Sequence, residues 1–152
     1  MGSNKDLAAI IAMAIQNEIE TYEFYSAAAE KMKDASVKKL FTELAEEEKQ
    51  HQEILSNLDL SNYSKIPTYD LPDYALAEKI DRPVLSIDMK FIDAIAVAIK
   101  NEEASMLLYA GLAAASDNPE QQKLFNSLSN MEKGHKARLE EIYNNAAYAE
   151  LW

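Results

Sequence analysis

Residues 40–55 read LFTELAEEEKQHQEIL, and their apolar positions Phe41, Leu44 and Leu55 fall on steps of three and four that mark one face of an α-helix. Glu48 and His51 fill the missing steps of that series, so a carboxylate and an imidazole share the apolar face. Residues 124–139, LFNSLSNMEKGHKARL, repeat the pattern 84 residues later through Leu124, Leu128, Glu132, His135 and Leu139, with Ile142 beyond. Two further glutamates stand thirty residues before Glu48 and Glu132, namely Glu18 and Glu102, again 84 residues apart. Each sits in an apolar seam of its own: Ile11, Ile15, Tyr22, Tyr25 and Ala29 around Glu18, and Ile95, Ile99, Met106, Tyr109 and Ala113 around Glu102. Glu-x29-Glu-x-x-His therefore occurs twice, and it uses both histidines of the chain.

Carboxylates and neutral imidazoles on neighbouring helical turns are ligand chemistry for a first-row transition metal, and four carboxylates with two imidazoles suffice for a two-metal site. Left without cations, buried carboxylates repel one another and lose hydration, at a cost on the order of several kcal/mol per ion. Two divalent or trivalent cations compensate that charge, whereas two histidinium ions leave the cluster two charges short. The rival reading is a partly protonated polar network with no metal.

A chain of 152 residues fits one domain, 1–152, with a sizeable core. Three glycines, four prolines and 48% hydrophobic residues favour an all-α protein over a sheet. The net charge of −11 argues against nucleic acid or an anionic membrane as partner. Without cysteine there is no disulfide, thiolate zinc site or iron–sulfur cluster. The apolar run Leu7–Ile15 is too short to span a bilayer, and Asp6 breaks the myristoylation pattern, so the expected location is cytoplasmic.

The periodicity predicts four helices at about 5–32, 35–58, 87–115 and 119–148. Ser3 with Asp6, Asp34, and Ser86 are the expected N-terminal signals of the first three. Asn118 caps the fourth, with Pro119 at its first position and Gln121 completing the cap. Short turns within each pair force antiparallel hairpins, about 5–58 and 87–148. The connector, about 59–86, carries Pro67, Pro72, Pro83 and Tyr63, Tyr69 and Tyr74, and is long enough to cross the whole bundle or to pass a hairpin to a second subunit. Outside the ligands the halves share Ala14/Ala98, Asn17/Asn101, Tyr25/Tyr109, Phe41/Phe125 and Leu55/Leu139, so the two hairpins should pack face to face about a pseudo-two-fold axis.

Through AIQNEIETYEFYSAAAEK (14–31) and LFTELAEEEKQHQEIL (40–55) the chain resembles the ferritin-like di-iron carboxylate superfamily, and most of all rubrerythrin-like proteins, over about 6–58 and 87–145. The resemblance implies a ferritin-like antiparallel four-helix bundle made of two hairpins joined by a long crossover. It implies two iron ions, with Glu18 and Glu102 as terminal ligands, Glu48 and Glu132 bridging, and His51 and His135 giving one nitrogen each. Manganese or zinc are possible substitutes in those ligands. Tyr25 and Tyr109 match the family's tyrosines that hydrogen-bond the ligand carboxylates.

Three departures from the family pattern matter. Ser105 stands where rubrerythrins carry an additional carboxylate, which makes the site more symmetric. No rubredoxin domain follows, so electrons are expected from an external donor such as a rubredoxin or from substrate iron. Lys49 and Lys133 occupy the position of the haem methionine of bacterioferritin, and no haem is expected. Glu47, next to Glu48, is expected first as a solvated helix residue, since its repeat mate is Met131, and second as a residue that orients an imidazole; Asn17 and Asn101 are expected as surface residues beside the ligands. Tyr143, Tyr148 and Trp152 belong to a tail that packs on the bundle or on a neighbouring subunit.

The leading expectation is a di-iron peroxidase that reduces hydrogen peroxide in answer to oxidative stress. The alternatives are a ferroxidase that oxidises ferrous iron with dioxygen or peroxide, and a non-catalytic metal-binding bundle. A homo-oligomer is expected, a dimer first, with a swapped hairpin as an option.

Overall fold

The computed structural model describes residues 3–58, 86–116 and 118–145, with side chains from Ala8 onward. Four helices occupy them: α1 (Ser3–Lys31), α2 (Ala35–Ser56), α3 (Phe91–Ala115) and α4 (Pro119–Asn144), with no strand among the described residues. The protein is an all-α four-helix bundle. The side chains of Ser3 and Asp6, the expected connector up to residue 85, and the tail with Tyr148 and Trp152 lie outside the described residues.

Local chemistry sets the helix ends. Asp34 Oδ1 accepts from the backbone N–H of Ser36 at 2.9 Å and of Val37 at 3.1 Å, which opens α2. Asn118 Oδ1 does the same for Glu120 and Gln121 at the head of α4. Gln121 does not close the expected capping box, because Ser116 Oγ takes the N–H of Asn118 and itself donates to Gln121 Oε1 at 3.0 Å. The start of α3 is a correction: it begins at Phe91, not near 87, and Ser86 instead accepts from the N–H of Asp88 in a turn. Ile87 and Met89 pack against the core in that turn, and Lys31 Nζ donates to the Ile87 carbonyl at 2.8 Å. Helix α4 ends at Asn144, short of the expected 148, where Asn145 leaves helical geometry.

The helices lie around the bundle in the order α1, α2, α4, α3, each neighbour antiparallel. Between α1 and α3, Asn17 meets Ser105 and Thr21 meets Asn101, so rising numbers on one helix face falling numbers on the other. Between α2 and α4, Glu47 meets His135 and His51 meets Met131 in the same sense. Helices α2 and α3 are therefore parallel, so the end of α2 and the start of α3 lie at opposite ends of the bundle.

Two apolar clusters close those ends. One holds Tyr25, Phe41, Leu44, Ile95 and Leu139; the other holds their repeat mates Tyr109, Phe125, Leu128, Ile11 and Leu55. The polar side chains lie between them. The seams differ from the sequence reading by one position in places: Ala14 and Thr21 are buried on α1, and Ala98 and Ser105 on α3, while Ile15, Tyr22, Ile99 and Met106 flank them half-buried. On α4 the buried residue is Phe125, with Leu124 beside it. Side-chain hydrogen bonds from Asn17 to Ser105 and from Asn101 to Thr21 span α1 and α3 at those positions. Among the described residues no helix is long and apolar enough to cross a membrane.

Candidate metal centre

Glu18 from α1, Glu48 and His51 from α2, Glu102 from α3, and Glu132 and His135 from α4 converge at mid-bundle, none more than 1% exposed. They form two overlapping groups. Glu18, Glu48, His51 and Glu132 offer ligand atoms within 4.8 Å of one another, and so do Glu48, Glu102, Glu132 and His135. Glu48 and Glu132 belong to both groups. The imidazole rings lie nearly parallel, 6.0 Å apart between centroids and 11° between planes.

Both rings turn Nδ1 inward. His51 Nδ1 stands 3.0 Å from Glu18 Oε2, and His135 Nδ1 stands 3.1 Å from Glu132 Oε1 and 3.2 Å from Glu48 Oε1, the latter two without hydrogen-bond geometry. The outward Nε2 atoms have unlike partners: Glu47 Oε1 at 2.7 Å for His135, and Met131 Sδ at 3.4 Å for His51. Glu47 is thus no solvated helix residue. It is 26% exposed, with its other oxygen 3.6 Å from Arg138 Nη1.

The tyrosines cross between halves. Tyr25 Oη donates to Glu102, and Tyr109 Oη to Glu18 at 2.7 Å, so each serves a buried carboxylate of the opposite hairpin. Asn17 Nδ2 donates to Ser105 Oγ and Asn101 Nδ2 to Thr21 Oγ1, both at 2.9 Å, one turn from those glutamates. Asn101 is buried and Asn17 half-buried, which corrects the surface placement expected for them. Their identity at repeat-related positions was the signal available in the sequence. For Glu47 the signal was its place beside Glu48, which allowed the second of its two expected roles, behind an imidazole.

The electrostatics are those of a cluster short of positive charge. Burial, with Glu102, Glu132 and Glu18 nearby, pushes the Glu48 carboxyl well above the usual range. Burial and the Glu132 charge push Glu102 up as well. Glu132 is held below the usual range because contacts with His135 and His51 outweigh its burial. Burial alone would lower both imidazoles, yet hydrogen-bond contacts and charge from Glu132 and Glu18 raise His51 to about 9, and those from Glu102 and Glu132 raise His135 to about 11. Burial, and then the carboxylate charges, keep both phenols protonated.

The donor set fits a pair of metal ions. One oxygen each of Glu18 and Glu102, both oxygens of Glu48 and Glu132, and Nδ1 of His135 are buried without a hydrogen-bond partner. Buried polar atoms are rarely left so, and this many together, all on metal-ligating residue types, make a socket for cations.

The rubrerythrin family model matches residues 2–59 and 73–150. Among solved structures, a hypothetical protein from Pyrococcus furiosus is 31% identical, with a TM-score of 0.68, over 89% of this chain and 86% of its own. No curated protein matches the chain.

Proposed function

The chain belongs to the rubrerythrin family, and from that membership and the buried Glu–His cluster we propose a non-haem di-iron oxidoreductase that reduces hydrogen peroxide with electrons from a separate donor such as a rubredoxin. The observation that carries the reading is the pair of four-residue groups sharing Glu48 and Glu132. In this reading two irons would share Glu48 and Glu132, one held also by Glu18 and His51 and the other by Glu102 and His135.

Bound iron supplies one electron per ion, enough to cleave the O–O bond of peroxide with uptake of two protons and release of two waters. The side chains do the rest. Tyr25 and Tyr109 remain hydrogen-bond donors and hold Glu102 and Glu18 in fixed orientation. Phe41 with Leu44, and Phe125 with Leu128, keep bulk water from the two ends of the cluster. Glu47 fixes the His135 ring from outside.

A second reading, ferroxidase activity, is favoured by Ser105. Its Oγ accepts from Asn17 and it brings no fifth carboxylate to the four, so the ligand set stays symmetric. Anaerobic loading with ferrous iron, followed by stopped-flow mixing with peroxide or with dioxygen, separates the two. Rapid oxidation by peroxide and slow oxidation by dioxygen is the expected result. Rapid oxidation by dioxygen with repeated turnover of added ferrous iron would favour the ferroxidase, and no reaction with either oxidant would overturn both.

A further inference from the structure

The polar contacts that relate the two halves match pair by pair. Tyr25 to Glu102 mirrors Tyr109 to Glu18, and Asn17 to Ser105 mirrors Asn101 to Thr21. The match fails behind the imidazoles. His135 Nε2 meets the Glu47 carboxylate at 2.7 Å, whereas His51 Nε2 meets the Met131 thioether at 3.4 Å. Positions 47 and 131 are repeat mates, so two chemically different groups occupy equivalent places behind otherwise equivalent ligands.

With Nδ1 committed to a metal, the ring proton sits on Nε2. A carboxylate that accepts it adds electron density to the ring, makes Nδ1 a stronger donor and fixes the ring plane. A thioether is neutral and a weak acceptor, and does little of this. Arg138 Nη1, 3.6 Å from Glu47 Oε2, helps to hold the Glu47 carboxylate in place.

We propose that the two metal subsites are inequivalent: the ion beside His135 binds first and is held more tightly, because Glu47 backs that imidazole, and the ion beside His51, backed among the described residues by Met131, is the exchangeable one. This rests on the reading that the cluster holds two ions. Glu47 is then a positioning residue, acting on the metal through His135. The consequence for the centre is a subsite that stays filled and one that loads and unloads.

The test is anaerobic titration of the whole chain with cobalt(II), followed by visible absorption and by the hyperfine-shifted Nε2–H signals of the two histidines. Two binding steps separated by about 10–100-fold are expected, with the His135 signal appearing on the first equivalent. Glu47→Gln should weaken the first step by that factor and leave the second unchanged. Met131→Glu should strengthen the second and bring the steps together. Equal steps in the wild type, first loading at His51, or wild-type constants in Glu47→Gln would overturn the inference while leaving the two-metal reading intact. Failure of the wild type to bind cobalt at all would overturn that reading, and the inference with it.

Discussion

Tyr109 holds Glu18, and Tyr25 holds Glu102, from across the bundle, so each hydroxyl ties a ligand of one hairpin to a helix of the other. Tyr109→Phe removes the donor from a fully buried carboxylate while keeping the ring. The expected loss is about 1–3 kcal/mol in denaturant unfolding of the metal-loaded protein, with faster surrender of one ion to a chelator. Unchanged stability together with unchanged release would show that the hydroxyl does not position the ligand. At this scale the six candidate ligands were legible because their spacing is doubled, because it takes up both histidines, and because helical period puts every member on an apolar face. Glu47 was legible only as one of two readings, solvated or behind an imidazole, because it lies at the edge of the buried stripe, where helical period assigns a residue equally to solvent or to an inner partner. Only the fold brings α4 against it.

Helices α1 and α3 are joined by two crossed amide-to-hydroxyl bonds, whose members differ in burial. Asn101 is 8% exposed and depends on Thr21 Oγ1, while Asn17 is half-buried and reaches Ser105 Oγ. Thr21→Val keeps shape but strands the buried Asn101 amide, and should cost about 1–3 kcal/mol. Ser105→Ala leaves Asn17 near enough to solvent to find water, and should cost less. Equilibrium unfolding of the two variants checks the order, and a larger loss for Ser105→Ala would contradict it. The same contact explains where the seam was misread. Ile15 and Ala14, or Tyr22 and Thr21, satisfy a helical period equally well, and hydrophobicity favours the larger residue. The hydrogen bond that Thr21 Oγ1 accepts from buried Asn101 turns the smaller residue inward instead. The start of α3 escaped for a related reason: Ile87 and Met89 carry apolar side chains that pack on the core from a turn, so their pattern continues that of the helix without its backbone.

For the whole molecule, the pseudo-two-fold axis gathers four carboxylates between two apolar ends, and pH is the means to read their charge. A carboxyl raised on folding, such as Glu48 or Glu102, stabilises the fold below the ordinary value of 4.5 and loses that contribution as pH climbs to its folded value. The imidazoles act in the same direction. Their contribution is complete below 6.5 and is lost as pH rises through about 9 for His51 and about 11 for His135. Glu132, depressed on folding, works the other way: its contribution is present above 4.5 and lost as pH falls toward its folded value. Protein stripped with chelator should therefore melt highest in mildly acid solution and progressively lower from about pH 5 to about pH 9. Metal-loaded protein should hold or gain over that range, since ligands bind metal when deprotonated. Thermal scans with and without chelator across pH check this, and identical profiles would restore a purely structural polar network.

The repeat made the bundle and its direction of packing legible at this scale. That Glu47 and Met131 differ was legible too, but that both stand behind imidazoles depended on three-dimensional contacts. The central claim is that these six residues hold two metal ions through two shared carboxylates, and metal analysis of anaerobically iron-loaded protein tests it most directly. About two ions per chain are predicted for the wild type, with both sites impaired in Glu48→Ala and in Glu132→Ala, because each carboxylate bridges. A single ion per chain, or two ions retained undiminished in both variants, would contradict it.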